Sequence, residues 1–393
     1  MDAMKKYFLL LVAGAAALLS CQESDKALTD RVFDIAARQY AAMDANLSET
    51  TLPRTIESDT LKLSNPSWWC AGFYPGSLWY IYLRTGDENI RELAEKNTRK
   101  VYPETQKARS HDIGFVTNCS YGNALRITGD TAWRQPVIDA AHALALRFNP
   151  NVGCTRSWNF SPKRKQWLFP VIIDNMMNLE LLMEAHKLCG VDSLRDIALT
   201  HARTTMKNHF REDGSTWHVV DYDPDDGSIR MKCTHQGYSD DSAWSRGQAW
   251  GLYGYTMMFR ESGDKAFLEQ AERIAGYLIG RLPSDGIPFW DFDAPDIPDT
   301  YRDASAGAII ASALIELSRL TPDRKAAKKY LSTARKQIRT LSGPEYLASP
   351  GENCNFILKH SVGTLPGKSE VDVPLTYADY YFLEALLRLE GKL

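Results

Sequence analysis

The sequence predicts an all-α protein, an (α/α)6 toroid of six helical hairpins in which six inner helices form a ring inside six outer helices. Three observations lead to this prediction. A short break with Gly or Pro next to Asp recurs along the chain, the stretch before each break is apolar on nearly all sides, and the stretch after it carries charges on one face. A helix that is apolar all round is buried all round, whereas a charged face is turned to solvent.

The breaks predict where one helix ends and the next begins. Glycine suits the left-handed position just past a helix end, and aspartate suits the N-cap of the following helix. The breaks are Thr85-Gly86-Asp87, Thr128-Gly129-Asp130, Cys189-Gly190-Val191-Asp192, Ser262-Gly263-Asp264 and Thr321-Pro322-Asp323.

The two kinds of helix each number six. Inner helices are predicted over 72–84, 114–127, 175–188, 247–260, 304–320 and 376–389. Outer helices are predicted over 30–44, 90–102, 130–148, the stretch after Asp192, 264–282 and 323–341. An open α-solenoid has the same hairpin pattern. Irregular repeat spacing and long aromatic-rich loops before the inner helices favour the closed ring. Because no linker follows residue 26, we expect one domain over residues 27–393.

The N-terminus predicts export. Lys5 and Lys6 precede an apolar run over 8–19 that is too short to span a membrane, and Cys21 follows a small residue. This pattern resembles a bacterial lipoprotein signal, with an ordinary secretory signal and a chance cysteine as the alternative. We therefore expect a signal peptide over residues 1–20, a lipidated Cys21 and a tether over 21–26. The expected location is the cell envelope of a Gram-negative bacterium, with membrane contact only through Cys21.

Charge and cysteine spacing exclude several classes of partner. The 46 Lys and Arg residues against 49 Asp and Glu give a formal net charge of -3 over 393 residues, which argues against a nucleic-acid-binding protein. No Cys-x-x-Cys pair and no zinc-type Cys/His cluster occurs, so we predict neither a metal nor a cofactor. We expect a monomer or a weak oligomer.

The loops that lead into the inner helices predict a carbohydrate site. Inner helices of a toroid run in the same direction, so these loops meet at one mouth. They are rich in Trp, His and Asp, which suit stacking on pyranose rings and acid–base catalysis.

Several of these residues have a structural interpretation and a functional one. Asp112, Asp174 and Asp303 all stand where an N-cap is expected. Asp174 follows the apolar run 171–173, so partial burial would raise its pKa and suit it to proton donation. Arg246 fits either packing through its aliphatic stem or binding of a carboxylate.

Six segments follow in order along nearly all of the chain after the signal segment. They are Trp68-Trp69-x-x-Gly72-Phe73-Tyr74-Pro75-Gly76, His111-Asp112-Ile113-Gly114-Phe115, Ile173-Asp174-Asn175-Met176-Met177-Asn178, His235-Gln236-Gly237, Ser245-Arg246-Gly247-Gln248-Ala249-Trp250 and Tyr377-Ala378-Asp379-Tyr380-Tyr381-Phe382-Leu383-Glu384-Ala385. Together these segments resemble glycoside hydrolase family 88, the unsaturated glucuronyl hydrolases.

The resemblance implies an (α/α)6 fold and a reaction. Polysaccharide lyases leave a C4=C5 double bond in the non-reducing uronic acid, and these hydrolases add water across it, so that the ring opens and the neighbouring sugar is released. It implies that Asp174 is the general acid and that Asp112 holds the ring hydroxyls and stabilises developing positive charge. It also implies uronate-binding side chains and aromatic walls. These are His218, His235, Gln236 and Arg246, and Trp68, Trp69, Trp158 and Trp250, respectively.

The substrate and the class remain open at this stage. The resemblance favours glycosaminoglycan disaccharides, but a Ser-x-x-Ser-x-Lys sulfate-binding pattern of some family members lacks its lysine near Ser361. Lys368 is a candidate substitute. The alternatives are an unsaturated rhamnogalacturonyl hydrolase acting on pectin fragments, a glycan-binding lipoprotein without catalysis, and a polysaccharide lyase on a similar toroid.

Overall fold

The computed structural model describes residues 23–107, 109–159 and 167–393. The predicted signal peptide 1–20 and the predicted lipidation site Cys21 lie outside the described residues. Among the helices of the described ranges, none combines the length and the apolar character needed to cross a bilayer.

Twelve long helices of the two predicted kinds alternate within the described residues. The outer helices are α1 (Asp25–Asp44), α3 (Glu88–Lys100), α5 (Arg134–Ala145), α7 (Asp192–Asn208), α9 (Lys265–Arg281) and α11 (Arg324–Leu341). The uninterrupted inner helices are α2 (Phe73–Thr85), α8 (Ser245–Ser262), α10 (Ala304–Leu320) and α12 (Thr376–Leu389). Two inner helices consist of consecutive pieces, α4 (Ile113–Thr117, Asn118–Gly122 and Asn123–Thr128) and α6 (the 3-10 segment Ile173–Asn178 followed by Leu179–Cys189).

The inner helices close into a ring. Each contacts the next one around the ring, and α12 contacts α2. The closing contact contains buried polar groups: the hydroxyls of Tyr80 and Tyr380 are 2.9 Å apart, and the Tyr80 hydroxyl donates to Glu384 at 3.0 Å. In an open solenoid the first and last helices would lie apart, so the predicted (α/α)6 toroid is confirmed.

The predicted breaks form the turns between hairpins. The side chains of Asp87, Asp264 and Asp323 each accept a hydrogen bond from the first turn of the next helix. Gly86 adopts the left-handed conformation with φ +68°. Asp192 differs, because Val191 occupies the cap position and Asp192 is the first residue of α7.

The first outer helix begins earlier than predicted, because α1 begins at Asp25 instead of at Asp30. Ser24 caps α1 by accepting from the N–H of Ala27. The Arg339 side chain donates to the carbonyl of Glu23 at 2.8 Å and to Asp25. Residues 23–26 therefore belong to the packed body, and within the predicted tether 21–26 only residues 21 and 22 lie outside the described chain.

Short strands in the loops between helices were not predicted. They are β1 (Leu52–Glu57), β2 (Thr60–Ser64), β3 (Phe148–Asn149), β4 (Cys154–Thr155), β5 (Phe169–Ile172), β6 (Val219–Tyr222), β7 (Ile229–Cys233), β8 (Ser361–Thr364) and β9 (Ser369–Val373). They pair antiparallel as β1-β2, β3-β4, β5-β6-β7 and β8-β9. The β1-β2 sheet precedes α2 and the β8-β9 sheet precedes α12, whereas the three-stranded sheet combines β5, which precedes α6, with β6 and β7, which precede α8. Residues of these three sheets form part of the wall at the mouth of the ring.

Candidate active site

A cavity of about 490 Å³ opens at the mouth where the inner helices begin. Each of the six segments that resemble family 88 contributes at least one residue to its wall. Its lining residues are Arg54, Ser67, Trp68, Trp69, Arg109, Ser110, His111, Asp112, Trp158, Ile172, Asp174, His235, Gln236, Arg246, Gly363, Thr364, Ser369, Glu370 and Tyr377. Eight of the ten predicted site residues are therefore brought together in one cavity.

Asp174 lies at the start of α6 and is the group best suited to donate a proton. Burial raises its pKa to about 6, although attraction to His111 and Arg246 opposes the rise. Its Oδ2 atom is buried, and no hydrogen bond reaches it from the residues that the structure describes. The carboxyl is thus held where its charged form is disfavoured and where one oxygen is uncommitted.

Asp112 has the opposite electrostatic environment. Burial alone would raise its pKa, but attraction to His111 and a hydrogen bond from Ser110 hold the pKa of Asp112 below its usual value. Nε2 of His111 lies 3.2 Å from Oδ1, and the Ser110 hydroxyl donates to Oδ2 at 2.9 Å. Asp112 stands at the N-cap position, yet within the described chain its side chain makes no capping bond.

His218 contacts the proton donor although it does not line the cavity. Its Nδ1 accepts the main-chain N–H groups of His235 and Gln236 at 3.1 and 3.2 Å. Because Nδ1 accepts, the ring proton belongs on Nε2, which lies 3.8 Å from Oδ2 of Asp174. The predicted residues 218, 235 and 236 are thereby joined on one side of the proton donor.

Arg246 lines the cavity, but its charge is largely engaged by the protein. It is 1% exposed, and its Nη1 donates to Asp303 at 3.0 Å and to the carbonyl of Val362. Its Nη2 donates to the carbonyl of Gly363 at 2.7 Å. Asp303 also caps α10 through the N–H of Ser305, so the cap interpretation of Asp303 is confirmed.

Aromatic side chains form two walls of the cavity. Trp69 packs against Tyr377 with ring centroids 4.9 Å apart, next to Trp68. On the other wall, Trp158 stacks on Trp167 at 5.5 Å and meets the ring of His235 edge-on. These flat surfaces suit the faces of a pyranose ring.

The prediction that Trp250 lines the site is wrong. Trp250 is 0% exposed and does not reach the cavity. Its ring packs against Phe115 and Tyr381 of neighbouring inner helices, with centroids 5.2 and 5.4 Å away. Trp250 is a core residue of the ring, because it lies beyond the first turn of α8 and points between helices.

Sequence reasoning missed three charged residues of the wall, namely Arg54, Arg109 and Glu370. Arg54 lies in β1 and Glu370 in β9, two strands that were not predicted and that lie outside the segments where candidates were sought. The alternation of polar and apolar residues over 60–64 was the signal that could have located the β1-β2 hairpin.

The helix ends add a general electrostatic bias. Five of the six inner helices, all except α10, begin at the cavity, and a helix N-terminus carries partial positive charge from its unpaired N–H groups. At their opposite ends the last turns hold Arg84, Arg126, Lys187, Arg260, Arg319 and Arg388. A mouth of this polarity favours an anionic ligand such as a carboxylate-bearing sugar.

The sequence and the structure both match known proteins. The sequence profile of Glycosyl Hydrolase Family 88 matches residues 44–387. An unsaturated glucuronyl hydrolase of Formosa agariphila is 44% identical over 326 residues, which cover 82% of this chain and 80% of that protein. An unsaturated glucuronyl hydrolase of a Bacillus species is 34% identical, covering 85% of this chain and 89% of that protein.

A solved structure extends the similarity to the fold. The crystal structure of an unsaturated glucuronyl hydrolase specific for heparin superposes with a TM-score of 0.90 at 46% sequence identity. The match covers 94% of this chain and 99% of that one. The similarity of the fold thus extends over nearly all of this chain.

Proposed function

The chain belongs to glycosyl hydrolase family 88 and hydrolyses glycosides of unsaturated uronic acids, and we propose that Asp174 is its proton donor and that its substrates are lyase-generated glycosaminoglycan oligosaccharides. One observation carries the assignment of roles. Two carboxyl groups line one cavity, and the pKa of Asp174 is raised to about 6 while that of Asp112 is lowered. Carboxyl groups displaced in opposite directions are the mark of an acid and a charge-stabilising partner.

The first step is proton transfer to carbon. The protonated carboxyl of Asp174 gives its proton to C4 of the unsaturated ring, and the π electrons of C4=C5 form the new C–H bond. C5 then carries positive charge that is shared with the ring oxygen, as in any protonated vinyl ether. The ionised carboxylate of Asp112 stabilises this charge across the cavity.

The second step adds water and returns the proton. The carboxylate of Asp174 accepts a proton from water while the water oxygen bonds to C5. The product is a hemiketal, which opens to a ketone at C5 and leaves a hemiacetal at C1 that releases the neighbouring sugar. Because one carboxyl gives and then recovers the proton, the carboxylate spacing rules for ordinary glycosidases do not apply.

Substrate binding follows from the walls and the polarity of the mouth. The inner-helix N-termini at the cavity provide the positive field that a uronate carboxylate requires. Arg246 lines the same wall, where its guanidinium pairs with Asp303. The wall containing Trp69 and the wall containing Trp158 lie on either side of a pyranose. The heparin specificity of the 46% identical structure supports glycosaminoglycan substrates over the pectin fragments of a rhamnogalacturonyl hydrolase.

The test follows the loss of ultraviolet absorbance of the conjugated double bond. Unsaturated disaccharides from heparin, chondroitin and hyaluronan and an unsaturated rhamnogalacturonan fragment are compared with the wild type, Asp174→Asn and Asp34→Asn. We expect turnover of glycosaminoglycan disaccharides by the wild type and by Asp34→Asn, whose side chain is 61% exposed on α1. We expect the turnover rate of Asp174→Asn to be lower than that of the wild type by about 10³-fold or more. Its melting temperature below pH 4 should equal that of the wild type. Wild-type-like turnover in Asp174→Asn would refute the role of Asp174, and exclusive turnover of the rhamnogalacturonan fragment would refute the substrate class.

We also propose that the protein is a monomer or weak oligomer held in the cell envelope by a lipid on Cys21. The support is the sequence pattern before Cys21. Residue 23 begins the packed body, so an anchor at Cys21 would hold the toroid close to the bilayer. Metabolic labelling with a fatty acid should mark the wild type and not Cys21→Ala, and a soluble, unlabelled wild type would refute the proposal.

A further inference from the structure

We propose that the ion pair between Arg54 and Glu370 makes the cavity select an uncharged second sugar and disfavour a sulfated one. The inference rests on the proposed function, because it concerns the sugar attached to the unsaturated uronate. It assigns specificity to two residues outside the six family-like segments.

The pair is a built feature of the cavity wall. Nε of Arg54 donates to Oε1 of Glu370 at 2.6 Å, and the two side chains are only 16% and 11% exposed. The Arg54 guanidinium lies 3.7 Å from the ring centroid of Trp68. Arg54 is therefore held between an aromatic face and a carboxylate, and its charge is compensated inside the protein.

Glu370 is fixed as firmly as Arg54. Its backbone is left-handed, with φ +57°, which is unusual for a residue other than Gly, Asn or Asp. Its Oε2 lies so close to Gly363 that a Cβ there would be 2.6 Å away. The carbonyl of Gly363 in turn accepts from Arg246 at 2.7 Å and from Gln236 at 3.0 Å. The Glu370 carboxylate thus packs against Gly363 of β8, whose carbonyl binds Arg246 and Gln236.

The pair lies along the Trp68 wall of the cavity. The Arg54 guanidinium packs on Trp68, and both Arg54 and Glu370 line the cavity. Within the described residues, neither forms a hydrogen bond or an ion pair with Asp174, Asp112 or His111. We place C4 of the unsaturated uronate at Asp174. In this orientation Arg54 and Glu370 face the second sugar, which is linked to the uronate.

The consequence is a preference in charge. A hydroxyl of the second sugar can donate a hydrogen bond to Glu370 without breaking the ion pair with Arg54. A sulfate at the same place would be repelled by the Glu370 carboxylate, and Arg54 could not compensate because it is already paired with Glu370. Like charges brought together in a partly buried site are strongly unfavourable. Removal of the Glu370 charge would free Arg54, whose planar guanidinium suits an oxyanion.

The experiment compares matched disaccharides that differ by one sulfate. The 6-sulfated and unsulfated unsaturated disaccharides of chondroitin, and the same pair from heparin, are assayed with the wild type, Glu370→Gln and Arg54→Gln/Glu370→Gln. The control is Glu57→Gln, which removes an equal charge from the same hairpin at a side chain that is 66% exposed. The measured quantity is the ratio of kcat/KM for the sulfated to that for the unsulfated substrate.

We expect the wild type and Glu57→Gln to favour the unsulfated substrate. We expect Glu370→Gln to raise the ratio about tenfold, through a lower KM for the sulfated substrate, and the double variant to lose this gain. The KM for the sulfated substrate with Glu370→Gln should rise with salt. Should Glu370→Gln fail to fold, Arg54→Gln alone should lower the ratio further, because it leaves the carboxylate unpaired.

Two results would overturn the proposal. A wild type that favours the sulfated substrate, or a ratio unchanged in the folded Glu370→Gln variant, would refute it while leaving the proposed function intact. A wild type that is inactive on all unsaturated glycosaminoglycan disaccharides would refute the proposed function and this proposal together.

Discussion

The side-chain oxygen of Asn178 accepts a hydrogen bond from the main-chain N–H of Phe115 at 2.8 Å. Phe115 follows Asp112 by three residues, and Asn178 follows Asp174 by four. This bond joins the two helix starts that carry the two carboxyl groups. The helices approach so closely here that a Cβ on Gly114 would lie 2.6 Å from Cβ of Asn178. The relative position of acid and partner is therefore set by direct contact between α4 and α6.

Asn178→Ala is expected to slow catalysis without removing any group that touches substrate. Loss of the acceptor leaves the N–H of Phe115 buried and unpaired, which should lower the free energy of unfolding by about 1–3 kcal/mol. Small displacements of catalytic groups are costly, so we expect kcat to fall about 10- to 100-fold with a smaller change in KM. Asn46→Ala, at an exposed position on the surface, is the control. An unchanged kcat in a folded Asn178→Ala variant would contradict the positioning role.

The helices could be predicted from sequence because their signals are local. A left-handed glycine and an aspartate cap, as at Gly86-Asp87, are recognised within one or two turns of sequence. The scarcity of charged residues along most of α10 is an equally local signal. The burial of Asp174 could be predicted for the same reason, because an apolar strand directly precedes it in the sequence.

The remaining features depend on contacts that are distant in the chain. Arg54 and Glu370 are 316 positions apart and meet only because two hairpins pack at the mouth. Trp250 was misassigned because a helix that is apolar on all sides gives no periodicity to separate a face toward the cavity from a face toward a neighbouring helix.

Trp250→Ala and Trp158→Ala should therefore have different effects. Trp250 fills the ring between Phe115 and Tyr381, so its truncation should lower the free energy of unfolding by about 3–5 kcal/mol. Trp158 is partly exposed on the cavity wall, so its truncation should raise KM with a much smaller loss of stability. Urea denaturation and steady-state kinetics measure the two quantities. A Trp250→Ala variant with native stability and a raised KM would contradict the core assignment and show that Trp250 contributes to substrate binding.

Asp174→Asn is expected to stabilise the protein at neutral pH. The pKa of Asp174 is about 6 in the folded state and close to 3.9 in an unfolded chain. Between these values the folded state binds the proton more tightly, so the free energy of unfolding falls as pH rises through this window, and above it the cost is complete.

Because asparagine carries no charge, the variant avoids this cost. We expect it to be more stable than the wild type by about 3 kcal/mol at pH 7, and the difference to vanish below about pH 4. Urea denaturation at the two pH values tests this, with Asp34→Asn as the exposed control. A stability difference that is the same at both pH values would refute burial as the cause of the raised pKa.

The pH dependence of kcat/KM should report the same group. Asp174 must be protonated to donate, so activity should decline above about pH 6 and approach a tenfold loss per pH unit. Asp112 must be ionised, and its pKa lies below the usual 3.8, so its loss of charge affects only the acid extreme. Attraction to His111 lowers the pKa of Asp174, so His111→Asn should move the alkaline limb to higher pH.

The position of that limb separates electrostatics from simple damage. Asp112 loses its contact with Nε2 in His111→Asn, so the maximum rate is expected to fall as well. A purely structural loss would lower the whole profile and leave the limb where it is. His142→Asn, on an exposed face of α5, should change neither height nor position. An alkaline limb that stays in place in His111→Asn would mean that a group other than Asp174 controls it.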